Sequence, residues 1–103
     1  MHENYILAID QGTTGTTVIL FDRQCQMIGK VYEEFTQYYP KPGWVEHDAL
    51  EIWEGARTLL DRIFQETGVN PAQVAAIGVT NQRETVVLWD RQTGEPVTRA
   101  IVW

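Results

Sequence analysis

Tyr5-Ile6-Leu7-Ala8-Ile9, closed by Asp10-Gln11-Gly12-Thr13-Thr14-Gly15 and followed by Val18-Ile19-Leu20-Phe21, is the stretch that decides the fold of this chain. The first run is continuously apolar and too short for a helix, which reads as a strand buried on both faces and central in its sheet. Glycine and threonine then interrupt the pattern, and the second run, β-branched and apolar, returns as a strand ending at the polar turn Asp22-Arg23-Gln24. A third strand is expected from Gln26 to Phe35, where Met27, Val31 and Phe35 share one face by the period of two. These 35 residues therefore read as a three-strand antiparallel meander.

Beyond it, Tyr38-Tyr39-Pro40-Lys41-Pro42-Gly43-Trp44 cannot be regular structure, because its prolines and glycine forbid a helix and remove sheet donors, and it is expected to be a loop with aromatic anchors. Asp48 with Glu51 has the spacing of a capping box. Leu50, Trp53, Ala56, Leu60, Ile63 and Phe64 then recur at helical spacing, so a helix from about Ala49 to Glu66 carries one apolar face, and Gly68 stops it. Asn70-Pro71 opens a short helical turn. Val74 to Thr80 reads as a buried strand and Glu84 to Trp89 as a further one, before a hairpin-type turn at Asp90-Arg91-Gln92-Thr93-Gly94. The order βββαβ and then β is the opening of a ribonuclease-H-like α/β domain. Arg99-Ala100-Ile101-Val102-Trp103 ends the sequence on an apolar, strand-like segment, which leads to the expectation that residues 1–103 are the first part of a longer protein.

Composition narrows the function. Eight Lys+Arg against 14 Asp+Glu give a net charge of −6, and with only two lysines the chain has little with which to neutralise nucleic-acid phosphates. An apolar fraction of 44 % and a charged fraction of 21 % are those of a folded domain, not of a disordered polyelectrolyte. Cys25 stands alone, which excludes an intramolecular disulfide and fits a reducing compartment. No run approaches the ~20 apolar residues of a membrane span, and Met1-His2-Glu3-Asn4 lacks the order of a secretory signal, so a soluble, cytoplasmic protein is expected.

Two segments can carry chemistry. In Asp10-Gln11-Gly12-Thr13-Thr14-Gly15 the glycines allow successive N–H groups to turn toward one point and the threonines add hydroxyl donors, a concavity suited to a phosphate. Asp10, at the carboxyl end of a strand, is placed to hold Mg²⁺, which keeps most of its water and needs one or two carboxylates. Neither G-x-x-x-x-G-K-[ST] nor G-x-G-x-x-G is present, and a tight hairpin explains the same composition. In Asn81-Gln82-Arg83-Glu84, Arg83 offers a fork of donors and Glu84 two acceptor oxygens, a pair able to grip adjacent hydroxyls of a polyol; a surface turn with an exposed ion pair is the alternative. His47 has no second histidine nearby and reads as a helix-entry residue. Cys25 reads as a turn residue, and Glu33, Glu34, Glu46, Glu51 and Glu54 as a solvated face.

Asp10-Gln11-Gly12-Thr13-Thr14, taken with Tyr39-Pro40-Lys41-Pro42-Gly43-Trp44-Val45-Glu46-His47-Asp48 and Asn81-Gln82-Arg83-Glu84-Thr85, closely resembles the FGGY carbohydrate kinases, collinearly and over the whole chain. The first motif is shared with actin-like ATPases in general; the other two are similar to the glycerol-phosphorylating members, the glycerol kinases, and Asn81 to Glu84 differs from the corresponding strand end of xylulose and gluconate kinases. The resemblance implies the opening part of the first of two actin-like domains closing over a cleft, and transfer of the γ-phosphoryl group of ATP to glycerol, giving sn-glycerol 3-phosphate and ADP. It implies that Thr13, Thr14 and Gly15 contact the nucleotide phosphates, that Asp10 organises Mg²⁺, and that Arg83 and Glu84 bind glycerol hydroxyls with Trp103 against its carbon backbone. Thr13, Arg83 and Glu84 would hold the product. The general base and the adenine pocket would come from positions beyond residue 103, and the intact enzyme would be a homo-oligomer. Relatives often carry serines and then an arginine where this chain has Gly15-Thr16-Thr17, so the threonine lacks that charge. An FGGY kinase for another polyol or a ketose, or a non-enzymatic actin-like nucleotide-binding module, would also keep the first motif.

Overall fold

Alternation along the first two strands places the core. Tyr5, Leu7 and Ile9 of one strand, and Val18 and Leu20 of the next, face the same side and pack together, with Leu7, Val18 and Leu20 buried. The structure, a computed structural model, describes residues 4–102. Its elements are β1 (Tyr5–Gln11), β2 (Gly15–Phe21), β3 (Met27–Glu34), β4 (Glu46–His47), α1 (Ala49–Thr67), β5 (Val74–Asn81) and β6 (Ala100–Ile101), with a 3₁₀ turn at Pro71–Gln73 before β5.

The main sheet has the order β3-β2-β1-β5. The first three strands form the expected antiparallel meander, in register Leu7↔Leu20 and Ile9↔Val18 between β1 and β2, and Val18↔Val31 between β2 and β3. β1 is central, and β5 joins its other side in parallel after the crossover through α1. β4 and β6 form a separate two-stranded antiparallel pair. This is the mixed α/β architecture expected from the element order.

α1 begins at Asp48, whose carboxylate accepts from Leu50 N at 2.9 Å, and ends at Gly68, which takes the left-handed conformation at φ 72°. Glu51 does not complete the capping box; its carboxylate accepts from the Tyr38 hydroxyl instead. The helix lies against β2 and β3, and Leu59 and Ile63 are its buried residues, backed by Leu60 and Phe64. Leu50 and Trp53, expected on the buried face, are 49 % and 56 % exposed. The stripe at helical spacing is wider than the strip that the sheet covers, and its register against the sheet is set by Leu59 and Ile63.

A single helix covers a single face, and this corrects the expectation that β1 and β5 are buried on both. Ile6 is 50 % exposed on the face away from α1, and on β5 Ile77 and Val79 are 58 % and 69 % exposed, because α1 sits over the opposite end of the sheet. Glu84 to Trp89 is not a strand. Glu84 is left-handed at φ 60°, and the segment makes only isolated bridges, Val86↔Ile101 and Trp89↔Pro96. The hairpin-type turn after it does form, with Asp90 accepting from the N–H groups of Gln92 and Thr93. In the proline loop, Tyr39 and Trp44 are exposed at 70 % and 43 %, so the anchor there is Tyr38, which bridges to Glu46 and stacks under the Arg99 guanidinium. Among the described residues no helix is long and apolar enough to cross a membrane.

The helix register has a direct test. In the 103-residue chain, Leu59→Ala is expected to lower unfolding free energy by about 2–5 kcal/mol, and Trp53→Ala by less than about 1 kcal/mol, in urea melts. Equal losses would place the wrong face on the sheet.

Candidate functional site

Parallel pairing sets Asp10 beside Thr80 and Gln11 beside Asn81, so the carboxyl ends of β1 and β5 emerge side by side. Ligand sites favour this end of a parallel pair. Each of the two strands runs on into a polar, irregular segment, and the two segments together make the candidate site.

After β1 the chain turns through Gly12-Thr13-Thr14 into β2. Gly12 N donates to Gly15 O at 2.9 Å, and Phe35 N donates to Thr14 O at 3.3 Å. Gly15 is buried, and a Cβ there would lie 2.7 Å from the carbonyl oxygen of Glu33, so a side chain would push the turn off β3. Asp10, Thr13, Thr14, Gly15 and Thr17 line one shallow cavity of about 240 Å³, closed on one side by Tyr32. The four expected phosphate and magnesium residues are thus brought together. Thr17 stands opposite Asp10 in the ladder and lines the same cavity. Among the described residues no group of three His, Cys, Asp or Glu side chains could hold a metal by itself. A single exposed carboxylate among threonines suits a largely hydrated Mg²⁺, which needs only one or two carboxylates, so Asp10 fits that ion.

After β5, Arg83 and Glu84 are exposed on a surface bend, as the alternative reading has it, but among the described residues neither takes part in the salt bridge that reading expects. The left-handed backbone at Glu84 is uncommon for a residue with a Cβ and costs about 1–3 kcal/mol, a strain that tends to collect at functional corners. Gln82 and Thr85 of this corner, with Gln11 at the end of β1, line a smaller cavity of about 150 Å³. The expected polyol residue Trp103 lies outside the described residues.

The two segments touch through amide side chains that sequence reasoning passes over. Gln11 Nε2 donates to Gln82 Oε1 at 2.9 Å and to Gly12 O at 2.6 Å. Gln82 Nε2 approaches His47 Nδ1 at 3.1 Å, and His47 Nε2 approaches Gln37 Oε1 at 2.7 Å. Gln37 Nε2 reaches Thr13 O at 3.0 Å. His47 is fully buried, with Phe35 edge-on at 4.8 Å, and is more than the helix-entry residue its sequence neighbours suggest. Its partners lie ten and 35 residues away, and no local pattern points to them. Burial pushes the imidazole below its ordinary pKa of 6.5.

Residues 5–103 match the N-terminal domain of the FGGY family of carbohydrate kinases. The chain is 58 % identical over 103 residues to a glycerol kinase of Halorhodospira halophila, covering all of this chain and 20 % of that protein. Among solved structures it is similar to a Plasmodium falciparum glycerol kinase with ADP, at 37 % identity and a TM-score of 0.86 over 99 % of this chain and 21 % of that one. A xylulose kinase from Brucella ovis shares the fold, at 24 % identity and a TM-score of 0.88 over 96 % of this chain and 21 % of that one. The chain spans about a fifth of the length of the curated relatives it matches.

Depressed basicity at His47 gives the site a signed pH dependence. The unfolded chain takes up a proton near pH 6.5 and the folded chain only at lower pH, so the contribution of neutral His47 is complete above 6.5 and is lost as pH falls below it toward the folded value. The melting temperature is expected to fall from pH 7.5 to pH 5, and to fall less steeply in His47→Phe. Parallel slopes would mean that His47 is not the group responsible.

Proposed function

The chain belongs to the FGGY family of carbohydrate kinases, and from that premise we propose that it forms the acceptor side of a glycerol kinase, within the first domain of the intact enzyme. The reaction is transfer of the γ-phosphoryl group of ATP to a terminal hydroxyl of glycerol. The observation that carries this reading is the side-by-side emergence of β1 and β5, which delivers a phosphate-shaped turn and an Arg-Glu corner to one end of the sheet. The identity to glycerol kinases supports glycerol as the acceptor, since the fold alone is shared with a xylulose kinase.

Phosphoryl transfer depends on in-line positioning and on neutralising charge more than on covalent chemistry. In this reading Thr13, Thr14 and Gly15 bind the nucleotide phosphates through hydroxyl and N–H donors. Asp10 would hold Mg²⁺, which would supply positive charge against the phosphates. Arg83 donates to one glycerol hydroxyl and Glu84 accepts from its neighbour, which fixes which hydroxyl points at the γ-phosphorus; Trp103 covers the carbon backbone. As a bond forms from that hydroxyl oxygen to phosphorus, the bond to the β–γ bridging oxygen breaks and ADP leaves. Glycerol 3-phosphate remains on Thr13, Arg83 and Glu84. No residue of this chain is assigned as the base that takes the hydroxyl proton. The reading includes a cytoplasmic, homo-oligomeric intact enzyme.

The intact kinase is expected to use MgATP with glycerol in preference to xylulose or gluconate, and Arg83→Ala to lower kcat/KM for glycerol by about 10- to 100-fold, the range of a lost hydrogen bond to a charged group. Preference for another acceptor, or indifference to Arg83, would show that the acceptor has been assigned from the wrong residues. Residues 1–103 alone are expected to show no glycerol-dependent ADP production. Turnover by that chain at the rate of an intact kinase would overturn the assignment of the base elsewhere.

A further inference from the structure

His47 is a fully buried polar side chain that the proposed reaction does not use. Its hydrogen bonds define a direction. Gln37 Oε1 can only accept, so His47 Nε2 carries the hydrogen; Nδ1 then accepts from Gln82 Nε2. The second hydrogen of Gln82 Nε2 goes to Thr85 Oγ1 at 2.9 Å, and Gln82 Oε1 accepts from Gln11. Gln37 Nε2 divides its hydrogens between Thr13 O and Phe35 O, the latter at 3.4 Å. Among the described residues no buried side-chain nitrogen or oxygen is left without a partner. Turning any one amide over would set NH₂ against NH₂ or oxygen against oxygen, so the chain of bonds exists in one sense only.

We propose that His47 is a positioning residue whose relay, Gln11 to Gln82 to His47 to Gln37, ties the carbonyls of Gly12 and Thr13 on the phosphate turn to the Gln82–Thr85 corner, so that nucleotide and acceptor contacts are set together. The proposal rests on the kinase reading for its kinetic consequences, though not for its geometry. A histidine that only filled space would leave the two ends independent. Here each end is held by the same bonds, and the backbone of Gly12 and Thr13 is gripped from both sides, by Gln11 and by Gln37.

The test uses the intact kinase with whichever acceptor it phosphorylates. His47→Phe keeps a ring of similar size and removes both bonds, and is expected to raise KM for nucleotide and for acceptor together, each by about ten-fold. His47→Gln, whose amide can donate to Gln37 and accept from Gln82, is expected to recover most of that loss. Gln37→Leu removes the turn end and Gln82→Leu the corner end; each is expected to raise both KM values, with the double variant no worse than the more severe single one. These two variants carry the test if His47→Phe does not fold. If Gln37→Leu affects nucleotide alone, Gln82→Leu affects acceptor alone, and their effects multiply, the relay does not couple the ends and the proposal fails. Failure of the kinase reading looks different, as no acceptor would be phosphorylated. The ¹⁵N spectrum of the His47 ring in the unmodified protein then decides. A neutral ring protonated at Nε2 at pH 7.5 supports the relay, and a cation or an Nδ1-protonated ring overturns it.

Discussion

The parallel ladder between β1 and β5 is the constraint on which the rest of the arrangement depends. It is the only parallel pairing among the described strands, and it requires the chain to leave the meander, cross through α1 and return alongside the strand it began with. In antiparallel pairing the polar segments after β1 and after β5 would lie at opposite ends of the sheet. In parallel they lie together, with Gln11 beside Asn81 and hydrogen-bonded to Gln82. Register matters as much as direction: a slip of one residue would exchange the faces of β5 and move Gln82 away from Gln11. The core residues Leu7, Val18, Leu20, Leu59 and Ile63 fix the meander and the helix that make this return possible.

The site is layered on that frame. Its outer residues, Asp10, Thr14, Arg83 and Glu84, are exposed, whereas His47, Gln82 and Gln37 are buried or half-buried and hydrogen-bonded through His47, with further bonds to Gln11, Thr13, Phe35 and Thr85. Exposed tips on an inflexible support are what positional catalysis requires, because side chains fixed only by solvent would have to be ordered at each binding event. The charge distribution fits the same division. The chain is acidic overall, the Gly12–Gly15 turn carries neutral groups with Asp10 beside them, and Arg83 brings a cation to the corner after β5.

Much of this is legible in local pattern and some is not. The continuous apolar run from Tyr5 to Ile9 and the helical spacing from Leu50 to Phe64 locate β1 and α1 closely, since each depends on short-range geometry, whereas the run from Val18 finds the end of β2 but not its start at Gly15, where glycine and threonine already pair with β3. Which face a helix covers depends on what packs against it, so spacing alone places Leu50 and Trp53 in the core and passes over Leu59, which is buried there with Ile63. Glu84 to Trp89 has strand-like composition, but the left-handed residue at its start and the lack of a continuous partner leave it irregular. His47 is the least legible of the site residues. Between Glu46 and Asp48 it looks like surface, and only the tertiary fold brings Gln37 and Gln82 to its two nitrogens.

The most direct measurement of the central claim, that one sheet end presents both substrate contacts, is a crystal structure of the intact kinase with glycerol and a non-hydrolysable ATP analogue. The account predicts glycerol hydroxyls within hydrogen-bond distance of Arg83 and Glu84, nucleotide phosphates against Thr13, Thr14 and Gly15, and the Gln11–Gln82 bond intact between them. Glycerol bound away from Arg83 and Glu84, or phosphates remote from the 12–15 turn, would contradict it.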